Sequence, residues 1–222
     1  MKKLYILVIV LAPLLGMAQP ALEGGLFLGV SNYQGDLTLK KAPNFGESNF
    51  AAGLLARTYV DETTAIRANL LYGKLSGNDN NYADRIKRGF SFTTTLVELS
   101  VVGEWEPLGA NRYKNYDKMI NRFSPYLYGG LGMVFINPKP VFGNEGNEKV
   151  QQDLSSDYSK LQFSVPIGIG VKAYINKLWC VGLELGTRTT FTDYLDGISL
   201  SGEPGTKDWY LFGGAMVTYR IK

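Results

Sequence analysis

Apolar and polar residues alternate along most of the chain. Between Leu22 and Asn32, Leu26, Leu28 and Val30 are apolar, while Glu23, Gly25, Gly29 and Ser31 lie between them, with Phe27 the exception. This period of two marks a half-buried strand. It returns at Phe50–Val60, where Phe50, Ala52, Leu54, Ala56 and Val60 oppose Gly53 and Arg57. In Thr64–Lys74, Ile66, Ala68, Leu70 and Tyr72 oppose Arg67, Asn69 and Gly73. In Phe92–Trp105, Val97, Leu99, Val101 and Trp105 oppose Glu98, Ser100 and Glu104. A fifth run sets Leu127, Leu131, Met133 and Phe135 against Tyr128, Gly130 and Gly132. Three more follow at Phe163–Ala173, Trp179–Arg188 and Trp209–Ile221. Each run is about 10–13 residues, which matches the 9–11 residues of a tilted membrane strand better than the usual 5–6 of a globular one.

The connections alternate as well. Polar stretches at Gln34–Asn49, Leu75–Gly89, Ile136–Leu161 and Thr189–Asp208 are long, while Asp61–Thr63 and Ile175–Leu178 are short. Outer-membrane barrels pair long external loops with short periplasmic turns in this way. Glu106–Phe123 breaks the rule, being long on the short-turn side. The pattern predicts an all-β fold: a single eight-stranded antiparallel transmembrane barrel, an up-and-down meander with both termini in the periplasm.

Alternation alone does not say which face is inside. A soluble barrel would turn its apolar face to the core, a membrane barrel to lipid. Here the polar face is rich in Gly, Ser and Thr rather than in solvated Lys and Glu, which suits a narrow lumen just wide enough for side chains. Its charges are nearly matched: Glu23, Glu98, Glu104 and Glu184 against Arg57, Arg67, Lys172, Arg188 and Arg220. Buried charges need partners, so a lumen salt-bridge network is expected, in a plugged barrel that does not conduct solutes. The central apolar positions carry no charge. Trp105, Trp179, Trp209, Tyr59 and Tyr219 lie near strand ends, as an interfacial aromatic girdle requires, with Trp209 at the loop-facing end.

Composition narrows the choice of function. The chain has 222 residues, one cysteine and no histidine; 45% is hydrophobic and 19% charged. Without histidine, every Ser-His, Cys-His and His-metal arrangement is absent, and one cysteine excludes an intrachain disulfide. The N-terminus has a basic Met1-Lys2-Lys3, an apolar Leu4–Leu15 and small residues ahead of Gln19, so residues 1–18 read as a cleaved signal peptide and 19–222 as the barrel. The near-neutral balance suggests no nucleic-acid partner.

Several segments then become readable as words: Gly29-Val30-Ser31-Asn32-Tyr33-Gln34-Gly35-Asp36-Leu37, Arg67-Ala68-Asn69-Leu70-Leu71-Tyr72-Gly73-Lys74-Leu75-Ser76-Gly77, Arg88-Gly89-Phe90-Ser91-Phe92, Ser124-Pro125-Tyr126-Leu127-Tyr128-Gly129-Gly130, Phe191-Thr192-Asp193-Tyr194-Leu195-Asp196 and Lys207-Asp208-Trp209-Tyr210. Their order and spacing resemble the small outer-membrane barrel family that includes PorG, a component of the type IX secretion system, over essentially the whole mature chain. The resemblance implies a barrel in the bacterial outer membrane tied to a periplasmic PorK/PorN-like ring that serves protein export. Barrels of this kind usually finish on an aromatic; this chain ends Tyr219-Arg220-Ile221-Lys222, leaving Tyr219 and Ile221 as the terminal assembly signal.

Other motifs carry less. Gly168-Ile169-Gly170-Val171-Lys172-Ala173 hints at a dinucleotide turn, but it lies inside one alternating strand with no helix to follow. Gly77-Asn78-Asp79-Asn80-Asn81 lacks the closing glutamate of a calcium loop and reads as a solvated loop. Asp193 and Asp196, beside Gly197, read as loop anchors rather than an acid/base pair, and Cys180 as a small lumen packing residue. No metal, cofactor, catalytic centre or small-molecule substrate is expected. The extra length of Glu106–Phe123 invites a partner: Arg112, Tyr113, Lys114, Tyr116, Lys118, Met119 and Arg122 form a basic–aromatic mix suited to an interface, or to anionic headgroups. A non-catalytic scaffold is therefore expected. Three alternatives remain: an adhesion or envelope-integrity role through the external loops, a secreted soluble barrel that binds a small ligand, and a barrel enzyme.

Overall fold

Eight strands form one antiparallel meander: β1 (Leu22–Gln34), β2 (Asn49–Tyr59), β3 (Thr64–Asn78), β4 (Ser91–Trp105), β5 (Phe123–Val141), β6 (Leu161–Tyr174), β7 (Trp179–Thr190) and β8 (Trp209–Ile221). Each pairs with its neighbours in sequence, and β8 returns to β1, from Leu22 opposite Ile221 to Gln34 opposite Trp209, closing the barrel. Closure satisfies every strand edge, which lipid would not tolerate open. The computed structural model describes residues 22–35, 37–38, 44–83, 85–109, 123–143, 147–202 and 207–221. The predicted signal peptide, residues 1–18, lies outside the described residues.

Which way the alternation faces is decided by the side chains. Leu183 is 61% and Ile169 58% exposed, and Leu26, Leu54, Leu99, Leu131 and Phe163 stand outward with them. The intervening residues are buried in the lumen. An exposed apolar patch of a few hundred Å² is already unusual for a soluble monomer; a complete apolar belt belongs in a bilayer. Trp105, Trp179, Trp209 and Tyr219 are outward at the ends of this belt, with Trp179 and Tyr219 in contact at a ring-centroid distance of 4.9 Å. Tyr59 departs from the expected girdle: it faces inward, and its hydroxyl meets that of Tyr174 at 2.9 Å. Its place follows from parity, since Arg57 and Leu55 of the same strand are also inward.

The short turns are built on local side-chain acceptors, as Asx turns are. Asp61 Oδ1 accepts from the backbone N–H of Thr63 (2.7 Å) and of Thr64 (2.8 Å), and these bonds, the one from Thr63 N–H first, lower the Asp61 pKa. Asn176 Oδ1 does the same for Leu178 and Trp179.

Two strands outrun their apolar pattern. β3 reaches Asn78, and β5 continues to Val141 instead of ending near Phe135, with Asn78 opposite Ser91 and Ser91 opposite Val141. The ladder needs only backbone groups, so it persists where the outward residues have turned polar; hydrophobic alternation reads the belt, not the whole strand. The long connection after β5 also holds a helix that the pattern did not predict, α1 (Glu148–Ser155), N-capped by Asn147, whose side chain accepts from Lys149 N–H.

Candidate functional site

The inward charges meet in the turn-side half of the lumen. Register brings Glu23 directly opposite Arg57 on β2 and Arg220 on β8, and Arg57 directly opposite Arg67. Like charges so placed repel. Glu104, from β4, resolves the conflict: its oxygens lie 2.9 Å from Arg57 Nε, 3.1 Å from Arg67 Nε and 2.7 Å from Lys172 Nζ. Glu23 binds Arg57 and Arg220, each at 3.1 Å. Glu184 takes Arg67 Nη1 at 2.6 Å and the Tyr126 hydroxyl at 2.8 Å. Nearer the loops, Arg188 Nε stands 3.5 Å from Glu98, which also accepts from the Tyr210 hydroxyl at 2.6 Å.

All nine lumen residues singled out in the sequence therefore lie in this interior. A tenth joins them: Glu106, at the start of the long connection, points inward and binds Lys172 Nζ at 3.0 Å. It is in phase with Glu98 and Glu104, and that parity was the signal available to find it. With Glu106, five carboxylates face five cations in this network among the described residues. Side chains of Arg57 and Lys172 are 0% exposed, so the pairs are dry and their mutual satisfaction is obligatory.

Tyrosine rings stand among these charges. Lys172 Nζ lies 4.7 Å from the Tyr126 ring centroid and the Arg67 guanidinium 5.1 Å from that of Tyr128, distances at which cation–π attraction operates. These rings explain the glycine-rich stretch of β6. A Cβ on Gly168 would stand 2.5 Å from the Tyr128 ring, and one on Gly170 would overlap Tyr126. The glycines make room for aromatic side chains within one strand, and no phosphate-binding turn forms there. Cys180 is buried among the lumen residues.

The loop-side half is different. Phe27, Tyr33, Leu75, Phe92, Leu96, Ile136 and Phe212 form an apolar cluster that runs upward into the external connections through Leu37, Val150, Leu195 and Ile198. The connections above it are folded around buried acids. Asp79 accepts from Arg88 Nε and Nη2, both at 2.7 Å, and from Phe90 N–H at 3.0 Å; the stretch Gly77–Asn81, expected to be solvated, is thus anchored. Asp153 of α1 accepts from the N–H groups of Ser199, Leu200 and Ser201. Asp196 and Asp208 both meet the Tyr33 hydroxyl, at 2.7 and 2.8 Å, and accept from Ile198 N–H and Leu195 N–H respectively. Asp193 takes the Ser199 hydroxyl at 2.6 Å. Glu47 accepts from Asn78 N–H and the Asn81 side chain, and burial pushes its pKa up. Asp193 and Asp196 were legible as loop anchors beside Gly197, which has φ 82°. Glu47, Asp79, Asp153 and Asp208 were not, because their partners, backbone N–H groups together with the side chains of Arg88, Asn81 and Tyr33, are brought to them only by the folding of the connections. Arg112, Tyr113, Lys114, Tyr116, Lys118, Met119 and Arg122 lie outside the described residues.

A closed eight-stranded meander with an apolar belt outside and paired charges and tyrosines inside defines an integral β-barrel of the bacterial outer membrane. The chain belongs to the family described as a domain of unknown function (DUF6089), whose model matches residues 2–222. No curated protein matches it by sequence. Among solved structures it is similar to Neisserial surface protein A, with 10% identity over 90% of this chain and 97% of that one and a TM-score of 0.51. It is also similar to a major outer membrane protein from Thermus thermophilus (13% identity, 90% and 100% coverage, TM-score 0.49). A third similar structure is Ail, the attachment invasion locus protein of Yersinia pestis (9% identity, 92% and 100% coverage, TM-score 0.47). At such identities the likeness concerns fold alone.

Proposed function

We propose that this barrel is a non-catalytic scaffold of the PorG type, which anchors a PorK/PorN-like periplasmic ring of a type IX secretion system to the outer membrane. The observation that carries the reading is the occupied lumen. Ion pairs and tyrosine rings reach into the lumen of an eight-stranded barrel that is only just wide enough for side chains, which supports a plugged barrel whose work falls to its two ends. The resemblance of its sequence words to those of PorG-like barrels supports a role at the periplasmic end. So does the net positive charge of the long segment 106–123, with Arg112, Lys114, Lys118 and Arg122 interleaved with Tyr113, Tyr116 and Met119. The absence of histidine from the chain supports a non-catalytic reading.

Deletion of the gene tests the proposal. Export of type IX cargo is expected to fall, and ring proteins are expected to co-purify with the barrel from detergent extracts. Charge reversal at Arg112, Lys114, Lys118 and Arg122 is expected to release the ring while leaving the barrel in the membrane. Normal export in a deletion strain with no paralogue would defeat the reading.

One observation favours a second reading, adhesion or envelope integrity through the external loops. The loops form a folded crown on buried carboxylates, and a fixed surface is what recognition needs. Replacing residues 191–208 by a short turn separates the two: loss of surface binding with normal export supports the second.

A further inference from the structure

The outer wall of the barrel carries two charges on its described strands, and both are lysines. Lys74 on β3 and Lys139 on β5 point outward, are exposed, and make no ion pair with a described residue. Both stand immediately beyond the loop-side limit of the apolar belt. Across β3, β4 and β5 the last apolar row is Tyr72, Val97 and Phe135; the next is Lys74, Thr95 and Asn137, and the one above is Ser76, Thr93 and Lys139. In register the two lysines are two strands and two residues apart, about 12 Å along the wall at ordinary strand spacings. The turn-side end of the same wall has no charged outward strand residue among those described.

Two hollows flank these rows. Above them is a polar recess of about 350 Å³, lined by Ser76, Asn78, Asn81, Ser91, Thr93 and Lys139. Glu47 also borders it, but its carboxylate is engaged by Asn78 N–H and Asn81, and burial disfavours its charge. Below is an apolar groove of about 400 Å³ on β1 to β4, opened by the small Ala52 among Leu26, Leu28, Leu54, Leu70 and Tyr72. Hydroxyls, amides and cations above an acyl-sized groove are a complementary surface for an amphiphile with a sugar-phosphate head.

We propose that this face binds a phosphorylated glycolipid of the outer leaflet, with its phosphates on Lys74 and Lys139, its sugar in the polar recess and an acyl chain in the Ala52 groove. The inference depends on the membrane orientation and is independent of any secretion role. The occupant is a lipid rather than free phosphate because the recess is continuous with the belt that lipid already covers.

The test uses the full barrel in phosphatidylethanolamine nanodiscs doped with diphosphoryl lipid A or its dephosphorylated form, with bound lipid counted by native mass spectrometry. Wild type is expected to retain the diphosphoryl form selectively. Lys74→Gln and Lys139→Gln are each expected to weaken retention about fivefold, the magnitude of one basic residue at a charged lipid surface, and the double variant to abolish selectivity. Heat-modifiable electrophoretic mobility checks that each variant is folded; if the double variant is not, the comparison of the two lipids on wild type decides. Equal retention of the two lipids, unchanged selectivity in the folded double variant, or displacement by millimolar inorganic phosphate would overturn the proposal.

Discussion

The two halves of the barrel interior solve the same problem with different chemistry. On the turn side and at mid-barrel, the buried acids of the wall are all glutamates, Glu23, Glu98, Glu104, Glu106 and Glu184, and each meets an arginine or lysine from another strand. On the loop side they are mostly aspartates, Asp79, Asp153, Asp193, Asp196 and Asp208, whose acceptor oxygens serve backbone N–H groups and hydroxyls, with Asp79 also held by the guanidinium of Arg88 from its own connection. Reach explains the difference. A glutamate is long enough to meet a cation on a neighbouring strand, as Glu23 does, or across the cylinder, as Glu184 does with Arg67. An aspartate is short enough to bind the backbone of a chain folding back over it. The first arrangement fixes the rigid wall that lipid surrounds. The second gives shape to connections that have no ladder of their own.

The comparison can be broken at its strongest point first. Glu104→Gln removes the carboxylate shared by Arg57, Arg67 and Lys172 and leaves buried cations under-compensated. The expected loss is about 3–5 kcal/mol, read as a lower urea midpoint for the barrel folded in lipid vesicles. A loss within that of a typical surface substitution would mean that water reaches the pairs. On the loop side, Leu195→Ala empties an apolar site at the top of the core. It is expected to cost about 2–5 kcal/mol, with protease sensitivity appearing in residues 191–202 while β-sheet circular dichroism is retained; equal loosening of both halves would show that they are one cooperative unit. Asp153→Asn weakens the acceptor for Ser199, Leu200 and Ser201, and an expected cost of about 1–3 kcal/mol should appear as faster amide exchange at those three residues. Exchange unchanged there would remove the aspartate from its assigned role.

The smallest effect is a pH dependence at Glu47. Burial raises its pKa above the ordinary 4.5, so the folded loop holds the proton more tightly than the unfolded one. Its contribution to stability is fully present below 4.5 and is lost as pH rises through the folded value. Amide protection around Asn78–Asn81 is therefore expected to decline over that window, and Glu47→Gln to flatten the decline. The same slope in the variant would assign it to another group.

How much of this was legible before the structure depended on whether the relevant physics was local. A period of two is local, so eight strands, their faces and the inward position of Arg57, Arg67, Lys172 and Arg188 were readable from spacing alone. Strand ends were less so: β5 continued past Phe135 because backbone pairing outlasts the apolar belt. Tyr59 looked like a girdle residue by its place near a strand end, whereas its parity, shared with Arg57, put it inside.

The sequence by itself determined the class of barrel and the identity of the lumen charges, because alternation of side chains across a strand is a property of consecutive residues. It also marked 106–123 as a long stretch between β4 and β5, on the side of the two short turns. Only the tertiary structure decided which cation each carboxylate holds, that Glu106 completes the balance, and that the loops close into a crown through contacts such as Tyr33 with Asp208. Those partners lie tens to hundreds of residues apart along the chain. They meet because β8 closes on β1, and closure of a ring cannot be read from any one stretch of it.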